Sequence, residues 1–232
     1  MSDLHIGCAG FPVEPSEYAT QLPYVEIQET FHEGPDLAQM KRDLERVAGD
    51  LAIGLVASKV ITHPRRHAVY KKAGPDVPDH AAVGHFTRSR WTDEAWERTD
   101  LLIRALRAAV VVLRTPPSFK KTAANALALE NFIAHAERPG LEIAWDHGGE
   151  WPDADAAVVA ERLGLLIVRD LTDKAPPAGE VYMRYTGGAT GKTSPTEAAV
   201  AKAAGALSGR TGFVAFSNTT AWEDARRLAK AV

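Results

Sequence analysis

Cysteine is almost missing from this chain: Cys8 is the single one in 232 residues. No disulfide can form within the molecule, which suits a reducing compartment. Long apolar runs are missing too. No stretch approaches the roughly 18 apolar residues of a membrane-spanning helix, and no charged-then-apolar leader opens the sequence. Neither sign of charge dominates: 27 Lys and Arg against 30 Asp and Glu give a net charge of −3. Bulk electrostatic attraction to nucleic acid or to an anionic membrane is therefore absent. Low-complexity tracts and shifts in composition are also lacking. These scarcities predict a cytoplasmic protein with no membrane partner. The length allows one large domain or two small ones, and the barrel reading of the apolar runs makes it a single domain over residues 1–232 with a small-molecule ligand.

What is present is a 45% hydrophobic content, enough for a sizeable core. It is distributed as eight short apolar runs: His5–Cys8, Tyr24–Ile27, Leu51–Ser58, Ala109–Leu113, Leu141–Ala144, Leu165–Val168, Val181–Tyr185 and Gly212–Phe216. Little alternation of apolar and polar residues marks strands buried on both faces, and segments of helical length lie between most of them. The expected architecture is α/β, a single (β/α)8 TIM-like barrel with its working face at the C-terminal ends of the strands. Helix starts carry local signals. Asp36 with Gln39 precedes a helix at Leu37–Val47, Thr220 with Glu223 precedes the last helix, and Ser194-Pro195-Thr196-Glu197 combines an N-cap, a first-turn proline and an acidic third position. A helix is predicted over Trp91–Arg107, with Trp91, Ala95, Leu102 and Leu106 on one face. The longest irregular region, Ile61–Arg90, follows the third strand, and a loop of that length is usually functional or mobile.

Motifs at the strand ends carry a resemblance. Gly7-Cys8-Ala9-Gly10 follows the first strand, Val25-Glu26-Ile27-Gln28-Glu29-Thr30-Phe31-His32 spans the second, and Lys59-Val60-Ile61-Thr62-His63 ends the third. Arg114-Thr115-Pro116-Pro117-Ser118-Phe119 ends the fourth, and Glu142 lies in the fifth with Trp145 and Trp151 after it. Tyr182-Met183-Arg184-Tyr185-Thr186-Gly187 and Phe216-Ser217-Asn218 end the seventh and eighth. In this order the set resembles the YecE-like family, domain of unknown function 72, from Ile6 to Leu228. The resemblance implies a TIM-like barrel and no particular activity. The chain departs from the family pattern at Gln28, His32, Arg114, Ala144 and Thr186.

Charges inside apolar strands are the strongest chemical signal. Glu26, Glu142 and Arg184 sit within strand segments and Lys59 ends one. An unpaired charge there costs several kcal/mol, so these groups are expected to neutralise one another. They form either a buried ion-pair network that closes the barrel or a catalytic set. In the second case Glu26 or Glu142 is a general acid or base, and Lys59 and Arg184 tune it and stabilise negative charge. Paired carboxylates also permit glycosidase chemistry. The stretch Thr186–Thr193 ends in Gly-Lys-Thr like a nucleotide-binding loop, but Thr186 replaces its first glycine. A looser phosphate site at Gly187, Gly188 and Lys192 remains, in the loop position that barrels use for phosphate. The other reading is a plain flexible loop.

Further candidate substrate contacts at or after strand ends are His32, His63, Arg114, Trp145 and Asn218, the last also placed to cap the final helix. His32, His63, His67, Glu142, Asp146, His147 and Asp170 include metal-ligating types, but no compact ligand spacing occurs and no metal is expected. The cofactor is left undetermined. Cys8 reads as a buried small residue. The best-supported function is a hydrolase for a small anionic or phosphorylated substrate. The alternative is a non-catalytic nucleic-acid or ligand-binding barrel that uses Arg65, Arg66, Lys71, Lys72, Arg88 and Arg90 of the 62–90 loop.

Overall fold

Eight strands follow one another in chain order around a closed barrel, β1 beside β2 and so on to β8, which returns to β1. The computed structural model describes residues 4–32, 42, 51–71, 77–136, 139–148, 150–172 and 179–232. The strands are β1 (Leu4–Ala9), β2 (Tyr24–Ile27), β3 (Ala52–Val56), β4 (Val110–Arg114), β5 (Glu142–Asp146), β6 (Leu166–Asp170), β7 (Val181–Tyr185) and β8 (Gly212–Phe216). Their apolar runs exist because both faces are covered: every residue of β2, β7 and β8 is buried. Pairing is parallel, with β1 running from Leu4 opposite Gly212 to Cys8 opposite Phe216. β4 runs from Val110 opposite Glu142 to Arg114 opposite Asp146. Among the described residues, no helix is long and apolar enough to cross a membrane.

The chain's contacts gather in two compact units, one of residues 1–27, 42–54 and 168–232, the other of 28–41 and 55–167. In the first, the buried Tyr18 phenol ties β1 to β2. It accepts from the Cys8 amide at 2.6 Å and donates to the Tyr24 carbonyl at 2.6 Å. Helices Glu197–Leu207 and Ala221–Ala231 belong here. The helix expected to be capped by Ser194 starts two residues later. Thr196 is its N-cap and accepts from the Ala199 amide at 3.2 Å, while the Ser194 hydroxyl meets that of Thr220 at 2.6 Å. Thr220 precedes the last helix but makes no side-chain cap, because its hydroxyl donates to Asp224 Oδ2 at 2.8 Å. The predicted helix Leu37–Val47 lies outside the described residues.

In the second unit, the helix Arg90–Leu106 opens on Ser89, whose hydroxyl accepts from the Thr92 amide, and closes on Arg107 in the left-handed conformation. Ala95, Leu102 and Leu106 are buried as predicted. The buried indole is that of Trp96, whereas Trp91 lies under the Arg90 guanidinium at 4.4 Å. Trp96, Phe132, Phe86, Phe119, Trp145 and Trp151 form a chain of ring contacts through this core. The described residues of the region 61–90 include regular structure. It holds the end of a one-turn helix, Lys59–Thr62, and a 3-10 turn, Ala68–Lys71.

Candidate functional site

Within the first unit, Tyr24 and Glu26 are two residues apart on β2 and so share a face, as do Tyr182 and Arg184 on β7. The two pairs meet. Glu26 Oε2 accepts from both the Tyr182 hydroxyl and Arg184 Nη2, and the hydroxyls of Tyr24 and Tyr182 lie 2.9 Å apart. Tyr24, Glu26 and Tyr182 are fully buried, and Arg184 is 4% exposed. Burial first, and then neighbouring charge including that of Glu26, pushes both phenols well above their ordinary pKa. Both therefore stay protonated. With the Tyr182 proton committed to Glu26, Tyr24 must donate to Tyr182, giving a directed chain of hydroxyls that ends on a carboxylate. Gly54 of β3 makes room for it: a Cβ there would overlap the Tyr24 phenol oxygen.

The other predicted charges are placed differently. Glu142 is the first residue of β5, at the end of the strand opposite the C-terminal rim, and its amide donates to the Ala109 carbonyl at 2.9 Å. This corrects the expectation that it points into the working face. The residue of β5 at that face is Asp146, 3.5 Å from Arg114 Nε. Lys59 is fully buried; its ammonium stands 5.0 Å from the centre of the Tyr70 ring and 3.4 Å from the Val69 carbonyl.

The second unit brings His32, His63 and Arg114 together. His63 terminates the helix Lys59–Thr62, is 5% exposed, and pairs through Nδ1 with the Thr62 hydroxyl at 2.8 Å. Its ring meets Phe31 edge-on at 5.0 Å and His67 at 4.7 Å, while Arg114 lies 5.9 Å from the Phe31 ring, which also touches His32. Burial pushes the His63 imidazole down to about 3, and the neighbouring His67, Arg114, His85 and His32 push in the same direction. A neutral, desolvated imidazole beside the Arg114 guanidinium and three further imidazoles offers a small anion one fixed positive charge and ring nitrogens that can donate hydrogen bonds. Trp145 does not offer a stacking face. It is fully buried, donates to the Thr115 hydroxyl at 3.2 Å and packs against Trp151 at 5.2 Å.

The glycine loop is closed on itself. The Gly191 amide donates to the Gly188 carbonyl and the Thr193 amide to that of Gly187, both at 3.1 Å. Gly187 has φ +74°, and a Cβ there would lie 2.6 Å from that of Asn218. Asn218 Nδ2 donates to Asp224 Oδ2 at 2.7 Å, Thr220 Oγ1 at 2.9 Å and the Thr193 carbonyl at 3.3 Å. Its side-chain amide nitrogen is thus committed inside the protein, and Asn218 serves as an internal tie. Lys192 is exposed. His147 pairs with Asp153 at 3.3 Å, and Asp170 accepts from the Thr172 amide at 2.8 Å. Among the described residues, no three His, Cys, Asp or Glu side chains are grouped to hold a metal ion. Burial pushes the Cys8 thiol up to about 12, so it is no thiolate nucleophile.

Sequence reasoning missed Tyr24 and Tyr182, taking both as apolar core. Their signal was their spacing, each two residues before a strand-interior charge.

Comparison with known proteins agrees with this architecture. The family model described as "Protein of unknown function DUF72" matches residues 14–232, and the chain belongs to that family. No curated protein matches it. Among solved structures, a DUF72 family protein from Thermotoga maritima is similar at 16% identity and a TM-score of 0.70, with 98% of each chain covered. One from Enterococcus faecalis has 15% identity and a TM-score of 0.72, covering 99% of this chain and 97% of its own. A D-psicose 3-epimerase crystallised with D-fructose shares the fold at 10% identity and a TM-score of 0.53, covering 100% of this chain and 96% of its own.

Proposed function

We propose that this DUF72 barrel is a hydrolase for a small anionic substrate, phosphorylated or carboxylate-bearing, whose charge is held by Arg114 with His32, His63 and His67. The observation that supports this reading is the burial of His63 in neutral form among four positively charged or imidazole neighbours. A bound anion favours protonation of that imidazole, and Arg114, at the C-terminal end of β4, can offer paired donors to an oxyanion. In the first unit, Glu26 is the acid–base candidate, since a buried carboxylate at the end of a hydroxyl chain can exchange protons along it.

Thermal denaturation in inorganic phosphate tests the anion site at constant ionic strength. Phosphate should raise the melting temperature of the wild type, and Arg114→Ala should weaken apparent affinity by about tenfold or more, equivalent to about 1.4 kcal/mol. No stabilisation of the wild type by phosphate overturns the reading. A nucleic-acid role for the 62–90 loop has less support, because Arg65 is committed to Asp79 at 2.9 Å and to the Val77 carbonyl at 2.7 Å. Steep loss of oligonucleotide binding with added salt would favour it.

A further inference from the structure

We propose that Ser118 is a nucleophile and His85 its general base, in a site for small esters that carry an anionic group. The two side chains meet, His85 Nε2 to Ser118 Oγ, at 2.9 Å.

His85 is the middle of three consecutive residues in the left-handed region: Gly84 at φ +81°, His85 at +51° and Phe86 at +58°. Glycine is needed at position 84, where a Cβ would overlap the backbone of His63 and Pro64. The other two carry side chains, and such a conformation costs on the order of 1–3 kcal/mol for a bulky residue. What offsets it is visible. The amides of Gly84, His85 and Phe86 donate to the carbonyls of Val60, Thr62 and Ile61 at 2.9, 3.0 and 2.9 Å, satisfying the end of a short helix. Phe86 packs against Phe119 and Phe132, and the His85 ring lies 5.5 Å from that of Phe119. The imidazole is thus aimed by a strained turn, as residues at working sites often are.

Ser118 is presented just as firmly. It sits third in the turn Pro116-Pro117-Ser118-Phe119, closed by the Phe119 amide on the Pro116 carbonyl at 2.9 Å. Proline at the second position fixes that turn. The Phe119 carbonyl accepts from the Trp151 indole at 2.8 Å, and the Phe119 ring is fully buried, so the turn is anchored into the core. Ser118 itself is exposed and open to a substrate. Partial burial and the nearby Arg66 charge lower the pKa of His85, leaving a neutral nitrogen to receive a proton.

In the first step Ser118 Oγ bonds to the carbonyl carbon of the ester while its proton passes to His85 Nε2. The bond to the leaving alkoxide then breaks, and His85 returns the proton to it as the alcohol departs. Water, deprotonated by His85, attacks the acyl-serine and releases the acid and free Ser118. The anionic group is seated by the cluster around His63, which lies within electrostatic range of His85. The substrate class therefore rests on the anion reading above, whereas the nucleophile does not.

The test uses phenylmethanesulfonyl fluoride, a neutral reagent that reports on the serine alone. Intact mass and peptide mapping of the full chain should show one sulfonyl group on Ser118, absent in Ser118→Ala. His85→Gln should slow labelling by about 10²–10⁴-fold. In the wild type, the labelling rate should vary little between pH 8 and 7, because the lowered pKa of His85 keeps its imidazole largely unprotonated there. No adduct on Ser118, an equal rate in His85→Gln, or a wild-type rate that rises tenfold per pH unit would each overturn the proposal. Should His85→Gln fail to fold, the wild-type pH profile decides. Phosphate stabilisation is read independently, so loss of the anion site and loss of the nucleophile are distinguishable.

Discussion

Tyr182 donates a hydrogen bond to Glu26 across 156 residues of sequence, on the same carboxylate oxygen that Arg184 holds. A buried carboxylate so placed is stabilised by its partners rather than by water, and losing any one leaves the others desolvated. Glu26→Gln should destabilise the protein by about 3–5 kcal/mol, and Tyr182→Phe by about 1.5–3 kcal/mol. The double variant should cost less than the sum, by about 1–3 kcal/mol, because both changes remove the same bond. Urea denaturation of the four proteins measures this directly. Strictly additive costs would mean that the two groups do not act as a unit.

The Tyr24 ring needs the space that Gly54 leaves. A methyl group at position 54 overlaps the Tyr24 phenol oxygen, so Gly54→Ala should cost about 1–3 kcal/mol through overpacking. Tyr24→Phe deletes that oxygen. It should cost about 1 kcal/mol alone and recover part of the loss when combined with Gly54→Ala. A combined loss equal to the sum would place the strain elsewhere.

Strands were legible because burial on both faces leaves an uninterrupted apolar run; for Val181–Tyr185 and Gly212–Phe216 the runs coincide with the strands. Which end of a strand a charge occupies was not. The run at Leu141–Ala144 continues through Trp145 to Asp146, so Glu142 opens β5 and Asp146 occupies its C-terminal end. Cap chemistry placed the helix start at Ser194, two residues early: Ser194 with Glu197 matches the capping pattern, whereas Thr196, the actual N-cap, has Ala199 three residues on. Glu26 and Arg184 were legible as members of a charged set with Glu142 and Lys59, because none tolerates burial alone, but which of them pair was not. The contact between His85 and Ser118 was not, because it depends on two loop turns whose approach no periodicity encodes.

The loop after β7 separates a structural glycine from an exposed lysine. Gly187→Ala places a side chain at φ +74° beside Asn218 and should cost about 1–3 kcal/mol. Lys192 is exposed, and Lys192→Ala should change stability by no more than about 0.5 kcal/mol. It should also leave phosphate stabilisation intact, since the amides of Gly191 and Thr193 are engaged within the loop. Loss of phosphate stabilisation in Lys192→Ala would move the anion site from the cluster around His63 to this loop.

His63 makes the stability of the fold depend on pH in a definite direction. Its imidazole is held down to about 3 in the folded protein against 6.5 when exposed. Between these values the unfolded chain binds a proton that the folded one refuses, so acidification favours unfolding. Stability is fully present above pH 6.5 and declines as pH falls toward 3, by up to about 1.4 kcal/mol per pH unit from this group. Carboxylates add their own losses near pH 4, which makes pH 6.5 to 5 the informative window. In that window His63→Gln should flatten the slope of unfolding free energy against pH. Phosphate should flatten it in the wild type, since a bound anion favours the protonated imidazole and raises its folded-state pKa. An unchanged slope in His63→Gln would show that another group carries the acid sensitivity, and a slope indifferent to phosphate would detach His63 from the anion site.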